Sequence, residues 1–212
     1  MPALHSSSMV QSVFWGDCTE AIRHEIARLQ AAGRRVALIA SAGVLESHAE
    51  WAKSVFGDIP RMSIPSGESH KSLETLAQIY AFLASHELDR SSALIAWGGG
   101  VVGDIGGFAA ASFLRGISYY QIPTTLLGMV DSAIGGKTGI NLPQGKNLVG
   151  AVHLPQSVWV DPRFLKTLPA REFASGMAEV LKSALLGDKA LWELLCQLDS
   201  KALVGEQLLA II

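Results

Sequence analysis

Apolar residues at Ile22, Ile26 and Leu29 keep a helical spacing that stops at Gly33, and residues 36–40 (Val-Ala-Leu-Ile-Ala) then form a short unbroken apolar run. This pair predicts a helix returning to a buried strand. A second amphipathic stretch sets Leu73, Leu76, Ile79, Tyr80 and Leu83 among Ser72, Glu74 and Gln78, which predicts a helix of about four turns. Residues 93–97 predict another buried strand that runs straight into Gly98-Gly99-Gly100, and strand composition returns at 117–122 and 157–160. Strands alternating with helices are the pattern of a parallel sheet covered on both faces. From Pro169 onward only helical patterns remain, at 171–186, 189–198 and 202–212. The last of these stays apolar through Ile212 with neither a polar cap nor a glycine, so a truncated helical second region is expected.

Composition narrows the classes of function. Seventeen Lys and Arg against nineteen Asp and Glu give a net charge of −2, without the basic footprint of a nucleic-acid binder or a polybasic membrane anchor. A hydrophobic fraction of 49% with 17% charged residues supplies a large core and excludes disorder. The apolar runs are far shorter than the roughly 20 residues of a membrane-spanning helix. No basic cluster followed by an apolar stretch opens the chain, so a cytoplasmic protein is expected. Cys18 and Cys196 form no Cys-x-x-Cys pair and are expected as buried free thiols.

Thirteen of the 21 glycines fall between Gly98 and Gly150, which concentrates in one stretch the positions where backbone approaches a ligand closely. Residues 98–107 (Gly-Gly-Gly-Val-Val-Gly-Asp-Ile-Gly-Gly) follow a strand and open a helix. There, free backbone N–H groups and the positive helix end accept a pyrophosphate, or the glycines serve tight helix-to-sheet packing. Residues 65–71 (Pro-Ser-Gly-Glu-Ser-His-Lys) precede the amphipathic helix, with Ser69 as its expected cap. Thr124 and Thr125 close a strand and either cap the next helix or bond a ligand at the strand's carboxyl end. Residues 131–141 and 145–147 set Lys137 and Lys146 in a flexible, polar, glycine-rich backbone, which suits a phosphate ester or a carboxylate. Asp131 stands where a P-loop needs glycine, so an ATPase reading loses its motif. Glu179 and Lys182 share a helix face opposite an apolar stripe of Met177, Val180, Leu181, Ala184 and Leu185. They are either an exposed ion pair or a metal-ligating carboxylate beside a proton-handling lysine in an interdomain cleft.

Taken in this order, the motifs 66–71, 98–104, 123–125, 131–141, 145–147 and 176–182 resemble the 3-dehydroquinate synthase family of sugar-phosphate cyclases. The resemblance implies an α/β fold, with a Rossmann-like parallel-sheet domain over residues 1–168 and the beginning of an all-helical domain over 169–212. It implies NAD contacts from Ser66, Gly67, Glu68, Ser69, His70 and Lys71, from Gly100, Val101, Val102, Gly103 and Asp104, and from Thr124, Thr125, Lys137 and Lys146. Phe164, Leu165, Lys166 and Thr167 are implied as further NAD contacts. Glu179 is implied as a ligand of a divalent metal, zinc or cobalt, with Asp131 and Lys182 near the reacting hydroxyl. Lys137, Asn147 and Arg115 are implied to hold the phosphate end of the substrate, with Arg115 supplied by the neighbouring subunit of a homodimer.

The reaction so implied converts 3-deoxy-D-arabino-heptulosonate 7-phosphate into 3-dehydroquinate and phosphate. Oxidation of a ring hydroxyl acidifies the adjacent C–H, phosphate leaves by β-elimination, the hydride returns, and the ring reopens and closes as a carbocycle. NAD is then a recycled catalyst. The family's two histidine ligands lie beyond residue 212, and none of His5, His24, His48, His70, His86 or His153 matches them, so the chain by itself is expected to be inactive. Leu142 replaces a histidine of the family pattern. The alternatives are a related sugar-phosphate cyclase, a metal-dependent polyol or glycerol-phosphate dehydrogenase, and a non-catalytic nucleotide-binding fragment.

Overall fold

The computed structural model describes residues 12–197. Its elements run in chain order as β1 (Ser12–Trp15), α1 (Thr19–Ala31), β2 (Val36–Ser41), α2 (Ala42–Ser47), α3 (Ala49–Phe56), β3 (Arg61–Ile64), α4 (Leu73–Ser85) and β4 (Ala93–Gly98). They continue as α5 (Gly100–Ser112), β5 (Ser118–Pro123), β6 (Lys137–Leu142), β7 (Gly145–Val152), β8 (Ser157–Val160), α6 (Ala170–Leu186) and α7 (Lys189–Gln197).

Six strands pair in parallel in the order β1-β8-β5-β4-β2-β3. The unbroken apolar runs are buried on both faces, as parallel strands require. Val36, Leu38 and Ala40 of β2 pack with α1 and α3, whereas Ala37 and Ile39 pack with α4 and α5. The expected doubly covered parallel sheet is therefore present. The chain leaves β2 toward β3 and then returns to place β4 on the other side of β2. Such a reversal opens a crevice at the carboxyl ends of the two strands, where open α/β sheets bind ligands.

Several expectations need correction. Ser72, not Ser69, caps α4, its hydroxyl accepting from the Thr75 amide at 3.3 Å; Ser69 lies in a short 3-10 turn, Glu68–His70. The segment read as flexible polar backbone is the antiparallel hairpin β6–β7, stabilised by cross-strand pairing that the glycines hide from a propensity reading. On α6 the buried positions are Gly176, Val180 and Ala184, with Met177 packed against the core, while Leu181 and Leu185 are exposed; Gly176 sets the helix against Leu126 and Leu127. Cys18 is buried but Cys196 is exposed. Strands β1 and β3, not expected from the sequence, are edge strands of four residues each; each is too short for its pattern to stand out, although β1 carries the strand formers Val13, Phe14 and Trp15. The expected helix at 202–212, Leu198 and His5 lie outside the described residues. Among the described residues, no helix is long and apolar enough to cross a membrane.

Candidate active site

At the switch point, β4 ends at Gly98 and α5 begins at Gly100. The cap residue Gly99 supplies no side-chain hydrogen bond, and the first-turn N–H groups of a helix have no intrahelical acceptor. Of the two purposes left open by the sequence, the glycine geometry bears directly on packing. A Cβ on Gly99 would sit 2.9 Å from Thr125 Cγ2, and one on Gly98 2.8 Å from Val102 Cβ. A Cβ on Gly103 would collide with the Gln121 amide, so this glycine lets α5 lie directly on β5. Tyr119 fixes the same turn from below, its hydroxyl donating to Gly103 O at 2.8 Å.

Across from the helix start, the Ser132 hydroxyl is buried with no hydrogen-bond partner. It lies 3.3 Å from where a Gly100 Cβ would stand. Ser132 belongs to a π-helical turn, Gly128–Ser132, which Thr125 starts by accepting from the Gly128 amide at 3.0 Å. Thr124 is buried, its amide donating to Gly98 O at 3.0 Å. The sequence contains Ser132 within a quoted motif, but only the fold shows its hydroxyl to be unpaired.

Beside this turn opens a cleft of about 580 Å³ lined by Asp104, Asp131, Ser132, Lys137 and Asn147. These residues come from α5, the π-helical turn and both strands of the hairpin. Lys71 lies behind them, 4% exposed, with its ammonium 2.5 Å from Asp104 Oδ2 and 2.5 Å from Asn147 Oδ1. Burial pushes the Asp104 carboxyl above its usual range, with Glu68 and Asp131 adding to the rise, and the Lys71 ammonium opposes them. Asn141 completes the tie: its amide donates to Lys71 O at 2.8 Å, and its side chain donates to Glu68 Oε1 at 2.8 Å.

Gly176 brings α6 against the same region. A Cβ there would meet Leu126 Cβ at 2.6 Å and Leu127 N at 2.7 Å. One turn further on, Lys182 Nζ and Glu179 Oε2 pair at 2.6 Å. Glu179, and more weakly Asp131, hold the Lys182 ammonium above its ordinary pKa. Among the described residues no group of three or more His, Cys, Asp or Glu side chains is gathered for a metal.

The remaining sequence-derived residues are placed unevenly. Ser66 reaches the end of β2, its hydroxyl 3.5 Å from that of Ser41. Gly67 has φ +114°, a conformation that favours glycine. Ser69 and Lys146 are exposed and His70 half-buried at the rim. Val102 points into the core, with Val101 half-buried. Phe164 and Leu165 are core side chains packed beneath the turn after β8, whereas Lys166 and Thr167 are exposed. Thr167 meets His48 Nε2 at 2.9 Å, a contact the sequence did not suggest. Burial, helped by Arg163, pushes the His48 pKa down. His153 bonds Ile117 O through Nε2 at 3.1 Å and stacks on Tyr119, a packing role. Arg115 stands outside the cleft, beyond the far end of the 13-residue α5, about 20 Å of helix from Gly100.

Comparison with known proteins supplies further findings. Residues 61–175 match the 3-dehydroquinate synthase N-terminal family. The chain is 53% identical over 183 residues to a 3-dehydroquinate synthase from Opitutus terrae, covering 86% of this chain and 51% of the relative. It is 59% identical over 132 residues to one from Prochlorococcus marinus, covering 62% and 36%. The chain thus spans about half the length, or less, of the curated relatives it matches. A 2-epi-5-epi-valiolone synthase from Streptomyces hygroscopicus, solved with NAD+ and Zn2+ bound, superposes with TM-score 0.78 at 33% identity, covering 92% of this chain and 54% of that one. A 2-deoxy-scyllo-inosose synthase solved with carbaglucose-6-phosphate, NAD+ and Co2+ gives TM-score 0.70 at 32% identity, covering 81% and 47%.

Proposed function

This chain belongs to the 3-dehydroquinate synthase family, and from that premise we propose that it carries the NAD-binding half and part of the substrate cleft of a 3-dehydroquinate synthase. The substrate of the whole enzyme is 3-deoxy-D-arabino-heptulosonate 7-phosphate and its products are 3-dehydroquinate and phosphate. One observation carries the reading: an uncapped helix start after β4 faces an orphaned hydroxyl and adjoins an anion-suited cleft.

The residues present fit NAD. The first-turn amides of α5 suit a pyrophosphate, and Ser132 Oγ, beside Gly100, has a hydrogen bond to give. NAD bound here would supply a reversible hydride acceptor, so no net NADH would form. The described residues do not by themselves form a metal shell. Glu179 would be one carboxylate ligand, and a catalytic zinc with an open position takes three protein ligands.

Each protein group has a physical task. Lys137 and Asn147 hold the phosphate ester in the cleft, which orients the substrate's hydroxyl-bearing carbon toward the cofactor side. Lys182, one turn from Glu179 on the same face of α6, would donate a hydrogen bond near the reacting hydroxyl. Asp131 balances charge between this lysine and the cleft. The proton lost in the β-elimination passes to an oxygen of the departing phosphate. Arg115, remote from its own chain's cleft, serves the cleft of a second copy in a homodimer.

The test is phosphate release from 3-deoxy-D-arabino-heptulosonate 7-phosphate with NAD and zinc, NADH absorbance being followed in parallel. A protein containing these residues and a complete metal shell releases phosphate without NADH build-up; the 212-residue chain alone releases none. Net NADH from a simple polyol would instead identify a dehydrogenase. The similarity to 2-epi-5-epi-valiolone synthase supports one second reading, a sibling cyclase acting on sedoheptulose 7-phosphate, and competition between the two sugar phosphates separates them.

A further inference from the structure

The hydrogen bonds around Lys71 form a chain in which each polar group has one permitted orientation. The Glu68 carboxylate only accepts, so Asn141 turns its NH2 toward Glu68 and its Oδ1 toward the Asn147 amide, at 2.8 Å for each contact. At the other end the Lys71 ammonium only donates. Asn147 must therefore turn Oδ1 toward it, at 2.5 Å, which leaves the Asn147 NH2 as the end available to the cleft that Asn147 lines. Asn147 is held for this task in a left-handed conformation with φ +55°, one that asparagine adopts more readily than most residues.

We propose that Lys71 is a positioning residue for anion binding: its buried ammonium sets which end of the Asn147 amide faces the cleft, making Asn147 a donor to the phosphate ester. The inference rests on the reading of this cleft as the phosphate-ester site. Lys71 is suited to the task by its own constraint. Two of its three donors are committed, to Asp104 and to Asn147, and its backbone carbonyl accepts from the Asn141 amide. The same ammonium thus joins the cofactor helix α5 to the hairpin that carries the substrate side of the cleft.

The experiment titrates inorganic phosphate into the wild-type chain and into Lys71→Met, Asn147→Ala and the double variant, by calorimetry. Lys71→Met and Asn147→Ala are each expected to weaken binding about 5- to 10-fold, and the double variant no further than the Asn147 change alone. Losses that multiply in the double variant would overturn the proposal, since Lys71 would then act on the anion independently. A second variant covers the case in which Lys71→Met fails to fold. Asn147→Asp keeps the Lys71 contact and tolerates the backbone, but presents an oxygen to the cleft. Phosphate binding more than about 10-fold weaker is expected, and wild-type affinity would overturn the inference.

A ligand-free readout separates this claim from the reading beneath it. The Asn147 side-chain amide resonances of the nitrogen-15-labelled chain, assigned by their loss in Asn147→Ala, should shift in Lys71→Met and hold still in Lys166→Met. If they shift while the wild type binds no phosphate, the phosphate-site reading fails and the positioning role stands. If they do not shift, the positioning role fails.

Discussion

Two concave regions lie at opposite ends of the parallel strands, and the larger has the weaker claim to function. At the amino ends a hollow of about 830 Å³ is lined by Arg23, Arg34, Arg35 and His86. Its arginines are already engaged: Arg23 with Glu20 and Ser54 O, Arg34 with Ser91 O and Ser118 Oγ, and Arg35 with Glu87. At the carboxyl ends the cleft of about 580 Å³ holds Ser132 with its hydroxyl unpaired, beside an uncapped helix start. Groups left without partners, not enclosed volume, distinguish a binding site from a gap between packed elements. The same bond inventory explains why positive charge at the amino ends needs no ligand.

The largest break in this contrast is expected from Asp104→Ala, which strands the buried Lys71 ammonium. Leaving one partner of such a pair uncompensated costs about 3 kcal/mol, the low end of the range because the Asp104 side chain keeps 21% exposure. Thermal unfolding should show a midpoint lowered by roughly 6–12 °C. Gly176→Leu comes next. Its Cβ meets Leu126 and the Leu127 backbone, so α6 must shift, at a cost of about 1–3 kcal/mol by calorimetric unfolding. The move carries Glu179 and Lys182 away from Asp131.

A smaller effect is set by His48, whose pKa in the fold is pushed below the ordinary histidine value by burial and Arg163. Below about pH 6.5 the unfolded chain binds this proton before the folded one does. Its contribution to stability is therefore complete above that pH and declines as pH falls toward the folded value. Denaturant midpoints measured across this window should rise with pH, and His48→Gln should flatten that part of the slope. The smallest effect belongs to the amino-end hollow. Arg35→Ala removes a pair whose side chains are 51% and 79% exposed, so unfolding should change by less than about 1 kcal/mol and NAD affinity not at all.

The strands that the sequence revealed were those with nearly uninterrupted burial. Residues 36–40 and 93–97 read as parallel strands because both their faces are covered, and Gly98–Gly100 announces the turn because only backbone fits there. The hairpin was hidden: its glycines at 139 and 150 face one another so closely across the strands that side chains are excluded, and such positions carry no strand propensity. The packed face of α6 was legible at Met177, Val180 and Ala184 but not at Leu181 and Leu185, which are exposed, since close approach to Leu126 selects Gly176 there rather than a larger residue. Lys137 and Lys146 were legible as anion-suited residue types, of which only Lys137 lines the cleft, whereas Asn147 entered through the family resemblance alone. The buried connection from Lys71 to Asn147 joins positions 76 apart, and no local pattern reports it.

The central claim is that a nucleotide cofactor sits at the switch point, on the amides of α5. Its most direct test is calorimetric titration of NAD into the 212-residue chain and into Gly99→Val, whose side chain would crowd Thr125 at the helix start. Saturable binding of one NAD per chain, weakened about 10- to 100-fold in the variant, is the predicted result. No binding by the wild type, or equal binding by both, would contradict the account.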